Sequence, residues 1–270
     1  MQEDRKKIQQ NKPGEPSTHA RRSSIVTFLT PNRRFDPQRP ELMDVPGTDA
    51  VALAEDLKNL RTINKYFGGL SAVRKALSSF LREIPLECAI TILDLATASA
   101  DHPIDIVERA RRDGRSVHVT AVDNNPHMLT IARAQTSQHP NITIERGDIL
   151  NLHFPDKSFD IAICSLALHH FSHEDALDIL RHMDRLSRVG IIVNDLQRSW
   201  IGAGTAWLYT HLTTRNPLTL NDSYVSVLRA FTVPELRELA AKAGLRECAI
   251  SRRPFFRLVM TARPSVPTKD

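Results

Sequence analysis

The residues with the most chemical potential in this chain stand where apolar runs end. Ile90-Thr91-Ile92-Leu93-Asp94-Leu95 is followed by Ala96-Thr97-Ala98-Ser99-Ala100-Asp101. This order reads as a buried strand, a tight loop of small residues and a helix start. Such a loop brings backbone N–H groups and a helix N-terminus up to a polar ligand, and small side chains leave the ligand room. A second apolar run, 117–122, closes on Asp123. Doubly wound α/β folds hold a ribose there, roughly 20 residues past the loop, through a carboxylate that accepts from both sugar hydroxyls. Glycine is the usual residue of such a turn. Alanine keeps most of the space, but costs roughly 1–2 kcal/mol wherever the backbone must take positive φ.

Further polar groups close the later apolar runs. Gly147-Asp148-Ile149 follows the third run, where an acidic side chain can receive the exocyclic amine of an adenine, with Ile149 and Met128 on the ring faces. Ser165-Leu166-Ala167-Leu168-His169-His170-Phe171 follows the fourth, at the carboxyl edge where open α/β sheets bind ligands. Adjacent histidines are expected to face different ways: one into the pocket as a general base suited to neutral pH, the other structural. No Cys, Asp or Glu partner lies at ligand spacing from the pair, so no metal is expected. Asn194-Asp195-Leu196-Gln197-Arg198-Ser199 follows the fifth run and offers either substrate contacts or a solvated loop with an Asp195–Arg198 pair. Arg229-Ala230-Phe231 and Arg252-Arg253-Pro254-Phe255-Phe256 mix cations with aromatics, for an acidic or aromatic substrate or for Arg–Phe packing.

The elements that must position these groups follow from periodicity. Strands are predicted at 90–95, 117–122, 141–146, 159–165 and 189–194, with helices at about 102–112, 126–136 and 173–186. That alternation predicts an α/β, doubly wound, mostly parallel sheet. Leu53, Leu57, Leu60 and Ile63 form one helical stripe, broken at Gly68-Gly69 before a second helix from Ser71 to about Arg82. Residues 198–228 are expected as a helical insertion. Thr232-Val233-Pro234-Glu235 carries a capping box, and its helix ends at Gly244. Strands near 246–251 and 255–262 complete seven as an antiparallel hairpin around Arg253-Pro254. The organisation read from this is a disordered basic tail at 1–40, a helical lid at 41–86, the main domain at 87–263 and a short tail at 264–270.

Composition narrows the partners. Residues 1–40 carry nine Lys or Arg against four Asp or Glu, and the rest of the chain balances, so the net charge of +5 belongs to the tail. A nucleic-acid-binding face is not supported. Arg21-Arg22-Ser23-Ser24 is a candidate docking or phosphorylation site. No apolar run reaches the roughly 18 residues of a membrane span, no secretory signal is evident, and a cytoplasmic location is the default expectation. Cys88, Cys164 and Cys248 read as small buried hydrophobes.

Residues 90–196 resemble the class I S-adenosylmethionine-dependent methyltransferases, above all the small-molecule group containing ubiquinone and menaquinone methyltransferases. The family's Asp, three alternating glycines and trailing Asp fall on Asp94, Ala96, Ala98, Ala100 and Asp101. Its Phe-Pro-Asp-x-Ser-Phe-Asp pattern is matched at 154–160, and Leu168-His169-His170-Phe171 is similar to the group as well. Asn64, Gly68-Gly69, 194–196 and 228–231 resemble methyltransferases of bacterial polyketide pathways. The resemblance implies a Rossmann-like methyltransferase fold and S-adenosylmethionine as cofactor. It places cofactor contacts at Asp94, Ala96, Thr97, Ala98 and Asp101 in the first loop. Further contacts fall at Asp123, Asn124 and Met128, at Gly147, Asp148 and Ile149, and at Ser165 and Leu166. The implied reaction moves a methyl group to oxygen or carbon of a hydrophobic aromatic, quinone or polyketide-like small molecule, with His169 or His170 as base. A homodimer is the oligomeric state considered. Three alanines in place of glycines raise one alternative, a catalytically silent binding or regulatory protein that keeps the fold. A nicotinamide-dependent oxidoreductase would share the Asp123 argument, but not the motifs at 154–160 and 168–171.

Overall fold

Strand β1 (Ile90–Leu95) lies near the middle of the sheet, paired in parallel with β2 (Val117–Asp123) and β4 (Phe159–Ser165). The computed structural model describes residues 30–265. β3 (Ile142–Arg146), β5 (Ser187–Leu196), β6 (Arg246–Arg253) and β7 (Arg257–Arg263) complete seven strands in the order β3-β2-β1-β4-β5-β7-β6. The first five are parallel; β7 runs antiparallel to both β5 and β6. The central strands are near-continuous apolar runs because helices cover both faces. Ile90, Ile92, Ile161 and Ile163 point into one core layer with Phe80, Ile106 and Val107. Leu93, Leu95, Ala162 and Cys164 point into the other with Ile179, Met183 and Leu239.

The helices are α1 (Ala50–Tyr66), α2 (Gly69–Leu81), α3 (Asp101–Arg112), α4 (Pro126–Thr136), α5 (His173–Leu186), α6 (Trp200–Thr213), α7 (Pro217–Arg229) and α8 (Val233–Lys242). Their starts are encoded locally. Asn125 caps α4 by accepting from His127 N and Met128 N, and Thr232 and Glu235 form the reciprocal capping box of α8. Gly68, at φ 81°, makes the break between α1 and α2.

Residues 198–228 fold as the helix pair α6–α7, which packs on α1 through buried polar contacts. Asn216 Nδ2 donates to Ala52 O, and Thr219 Oγ1 donates to Asp56 Oδ1. The three helices roof the carboxyl edge of the sheet.

Several expectations are corrected. Residues 30–40, assigned to a disordered tail, are packed on the domain. Pro31 is buried, Arg33 Nε donates to Arg229 O at 2.6 Å, and the Arg33 guanidinium stacks 4.0 Å from the Phe231 ring. Aromatic stacking and several carbonyl acceptors hold this arginine where composition alone suggested a solvated chain. The first 29 residues, with the Arg21-Arg22-Ser23-Ser24 motif, and residues 266–270 lie outside the described residues. Ser265, placed in the C-terminal tail, binds the Asp184 carboxylate through its N–H and hydroxyl. Cys88 is exposed, Cys164 buried and Cys248 intermediate.

Gly190 on β5 faces the Phe80 ring of α2, and a Cβ there would sit 2.7 Å from three ring carbons. Gly190→Ala is therefore expected to lose about 1–3 kcal/mol in urea unfolding through overpacking. An unchanged midpoint would show that α2 yields freely.

Candidate active site

The loop after β1 keeps the backbone path of a glycine-rich turn without any glycine. Ala96, Ala98 and Ala100 take φ of 54°, 49° and 61°. Hydrogen bonds enforce the path: Thr97 N donates to Val122 O at 3.0 Å, Ala98 N to Asp123 Oδ2 at 2.9 Å, and Ala100 N to Thr97 O at 2.9 Å. Asp123 takes Asn125 N on its other oxygen at 2.9 Å, so one carboxylate ties the loop to the end of β2. Burial raises the pKa of Asp123, against its backbone N–H donors. Burial, reinforced by the charges of Asp101 and Asp123, pushes Asp94 up to about 7.

A cavity of about 330 Å³ opens between this loop, β4, α1 and the α6–α7 pair. Of the residues singled out from the sequence, Asp94, Ala96, Thr97, Ala98, Asp101, Ser165, Leu166, His169 and His170 line it. Asp123, Asn124, Met128, Gly147, Asp148 and Ile149 are not among the lining residues. Met128 instead joins Leu53, Leu57 and Leu218 in an apolar cluster against which Ala98 packs. The α1 stripe therefore lies on the side where an adenosine ring was expected. Asp148 accepts from Leu150 N in a local turn. Phe67 and Tyr209 line the cavity, whereas Trp200 and Trp207 are exposed on α6.

The two histidines sit on a 3-10 turn, Leu168–His170, and do not diverge. Their rings stack at 4.3 Å and both line the cavity. His169 Nδ1 binds Asp195 Oδ1 at 2.6 Å, and His169 N donates to Asp195 Oδ2 at 3.0 Å. Its Nε2 is left 3.7 Å from Glu41 Oε1. His170 Nδ1 binds Asp44 Oδ2 at 2.7 Å, with its Nε2 3.8 Å from Glu41 Oε2. Burial opposes charge on His170, but Glu41 and Asp44 outweigh it and raise its pKa to about 10. Burial also opposes charge on Asp195, yet the field and hydrogen bond of His169 hold its pKa below the ordinary value. The Asp195–Arg198 pair considered from the sequence does not form: Asp195 serves His169, and Arg198 pairs with Glu235 at 2.6 Å.

The sequence showed no carboxylate at metal-ligand spacing from the histidines; folding brings Glu41 beside them. Glu41, His169 and His170 hold donor atoms all within 4.8 Å of one another. Arg229, 3.9 Å from Glu41, and the charged His170 supply positive charge there, and Ser226 donates to Glu41 Oε2 at 2.7 Å. Sequence reasoning missed Glu41, Asp44, His102 and Arg257. Glu41 and Asp44 stand in a segment whose only sequence signal was Pro and charge. His102 Nε2 lies 2.9 Å from Ser165 Oγ, which also accepts from Asn194 Nδ2. Burial, aided by the Arg257 charge, lowers the His102 pKa to about 4. His102 follows the helix-start Asp101, and only its proximity to the loop could have marked it.

Comparison with known proteins agrees with this geometry. Residues 92–190 match a family model described as a methyltransferase domain. The chain is 35% identical over 82 residues to a demethylmenaquinone methyltransferase of Deinococcus radiodurans, covering 30% of this chain and 32% of that one. It is 32% identical over 107 residues to the enzyme of that name from Staphylococcus epidermidis, covering 40% and 42%. The matches thus span less than half the length of these curated relatives. Among solved structures, the CurJ carbon methyltransferase aligns with TM-score 0.62 at 12% identity over 81% of this chain and 61% of its own. A SAM-dependent methyltransferase from Aquifex aeolicus aligns with TM-score 0.53 at 15% identity over 85% and 98%. These likenesses establish the fold.

Two outcomes follow from the loop. Ala98→Gly relieves about 1–2 kcal/mol of strain, but frees the unfolded chain by about 0.4–1 kcal/mol and removes a packed methyl. Its unfolding free energy is expected to change by less than about 1 kcal/mol. Ala98→Val puts a β-branched residue at positive φ and is expected to lose about 2–3 kcal/mol. Equal urea midpoints for the two variants would refute the strained geometry.

The raised pKa of Asp94 has a defined sign. The folded protein holds the Asp94 proton up to about pH 7, whereas the unfolded chain releases it near pH 4. Its contribution to stability is full below about pH 4 and is lost as pH rises through about 7. Asp94→Asn should melt closer to the parent at pH 4.5 than at pH 8, where it should gain relative to the parent. A pH-independent difference would contradict a buried, proton-holding Asp94.

Proposed function

We propose that this chain, which over residues 92–190 matches a methyltransferase-domain model, is an S-adenosylmethionine-dependent methyltransferase that methylates an oxygen or acidic carbon of a small hydrophobic acceptor. The observation that carries this is the alanine loop, held in a glycine-type path by Asp123 and opening on the same cavity as the His169–Asp195 pair. The residues present fit the cofactor at its charged end. Asp94 and Asp101 face the cavity, where a cationic sulfonium and ammonium would draw the proton from Asp94 and favour its carboxylate. At the nucleoside end Asp123 would hold the ribose, once Leu53 and Leu57 of α1 lift from Ala98 and Met128. Gly47, at φ 84°, and Gly68, at φ 81°, bracket α1 and would serve as its hinges.

Bound there, S-adenosylmethionine supplies an already activated methyl group, so the protein's task is chiefly alignment and exclusion of water. The chain's own contribution is proton transfer. Asp195 fixes the His169 tautomer with hydrogen on Nδ1, leaving Nε2 to take a proton from an acceptor hydroxyl or enol. His170, already charged at neutral pH, is the wrong partner for that step. It positions Glu41 and stabilises negative charge on the acceptor instead. Phenols, hydroquinones and enolic polyketides are acidic enough for an imidazole base. Ile63, Phe67, Ala206 and Tyr209 supply the apolar wall that such an acceptor needs.

Calorimetry with S-adenosylhomocysteine, followed by methyl transfer to a panel of phenols, naphthols and enolic pyrones, tests the reading. His169→Gln and Asp195→Asn should each lower kcat by about 10²–10⁴ on weakly acidic acceptors. The loss should shrink as acceptor pKa falls, with cofactor affinity unchanged. No cofactor binding at millimolar concentration, or full turnover in His169→Gln, would refute it. Cofactor should also alter hydrogen exchange of residues 50–66. Invariant exchange there, alongside tight binding, would exclude α1 as the moving element.

A further inference from the structure

Arg257, the first residue of β7, is 2% exposed and lines the cavity. Its Nε donates to Phe67 O and its Nη2 to Asn64 Oδ1, both at 3.1 Å and both neutral acceptors. Its Nη1 is buried with no partner. Other buried arginines nearby are matched: Arg198 lies 2.6 Å from Glu235, and Arg229 lies 3.9 Å from Glu41. Among the described residues no carboxylate comes within ion-pair reach of Arg257, and Asp195 acts on it only at a distance while bonded to His169. Two other carboxylates lining the cavity have partners of their own: Asp101 takes the Ser99 hydroxyl, and Asp222 the N–H groups of Leu42 and Met43.

Burial lowers the Arg257 pKa only to about 10, so the charge persists at neutral pH. A buried cation without a counter-charge is strongly unfavourable, and an apolar residue of similar size would be cheaper for folding alone. Its surroundings also suit a flat ligand. Phe67 packs edge-on to Tyr209 at 4.7 Å and to Phe255 at 5.0 Å. Phe255 and Phe256, at φ 62° and 54°, hold a strained turn immediately before Arg257. Such strain persists where the surrounding structure over-determines it, as at ligand clamps.

We infer that Arg257 is the receptor for a carboxylate, or an equally charged enolate, carried by an aromatic methyl acceptor. This rests on the transferase reading for the word acceptor, but not for the binding itself. A guanidinium with Nε and Nη2 already bonded and Nη1 unpartnered presents a planar, directed contact that a carboxylate matches better than a neutral carbonyl does.

The test compares 1-hydroxy-2-naphthoate with its methyl ester, by calorimetry on the full chain saturated with S-adenosylhomocysteine. The parent should bind the acid at least about tenfold tighter than the ester. Arg257→Met should erase that ratio and melt no lower than the parent, since a purely structural arginine would lose stability when removed. Arg257→Lys should restore part of the ratio. A parent without acid preference overturns the proposal. So does an Arg257→Met variant that keeps the ratio but loses affinity for S-adenosylhomocysteine and not for 5′-methylthioadenosine, because the carboxylate received would then be the cofactor's own. Acid-selective binding without methyl transfer to any acceptor would refute the transferase reading and leave this site standing. Methyl transfer without acid selectivity would do the reverse.

Discussion

One hydrogen bond organises the carboxyl edge of the sheet, the 2.9 Å contact from Ala98 N to the Asp123 carboxylate. It spans two parallel strands and holds a three-alanine loop on a left-handed path that alanine alone disfavours. Its cost is carried by the rest of the domain. Strands β1, β2 and β4 are buried on both faces and cannot shift register to relieve the loop without moving two core layers. A rigid sheet thus lets three unfavourable backbone conformations persist at alternate residues of one loop. Glycine is the usual solution to such a path, and here tertiary constraint substitutes for it.

The roof of the cavity is built on different physics. Helices α1, α6 and α7 meet through a small apolar cluster and a set of buried polar contacts at Asn59, Asn216, Thr219 and Asp56. Buried hydrogen bonds specify one arrangement closely and add little net stability each. That balance fixes the fit of the cover without making it the most stable part of the domain. Burial drives the Asp56 pKa up to about 6. Beneath it the charges are ordered: carboxylates toward the loop, a charged His170 and Glu41 beside His169, and an unmatched Arg257 at the aromatic end.

Much of the fold was legible because its signals are local. The apolar runs, the capping box of Thr232 and Glu235, and the hairpin before Arg257 each depend on a few adjacent residues. The loop after β1 was legible too, since small residues between strand and helix have few other uses. The histidines were legible as pocket residues, but not as a stacked pair. Their arrangement comes from Glu41 and Asp44 in one segment and Asp195 in another, distant from each other in the chain. Residues 30–40 misled through composition. Charge and proline counts describe the average behaviour of a chain, and they do not register Arg33 finding the Phe231 ring and the Phe171 carbonyl.

From the sequence alone come the doubly wound sheet, its strand-end carboxylates and the likeness to methyltransferases, because hydrophobic period and short motifs act over a few residues. Tertiary structure alone decided which of those groups share a cavity. It placed α1 over Met128, gave His169 its carboxylate partner and left Arg257 buried without one. Those outcomes depend on burial and on contacts between distant segments, where desolvation sets the strength of every charge and no local pattern records it.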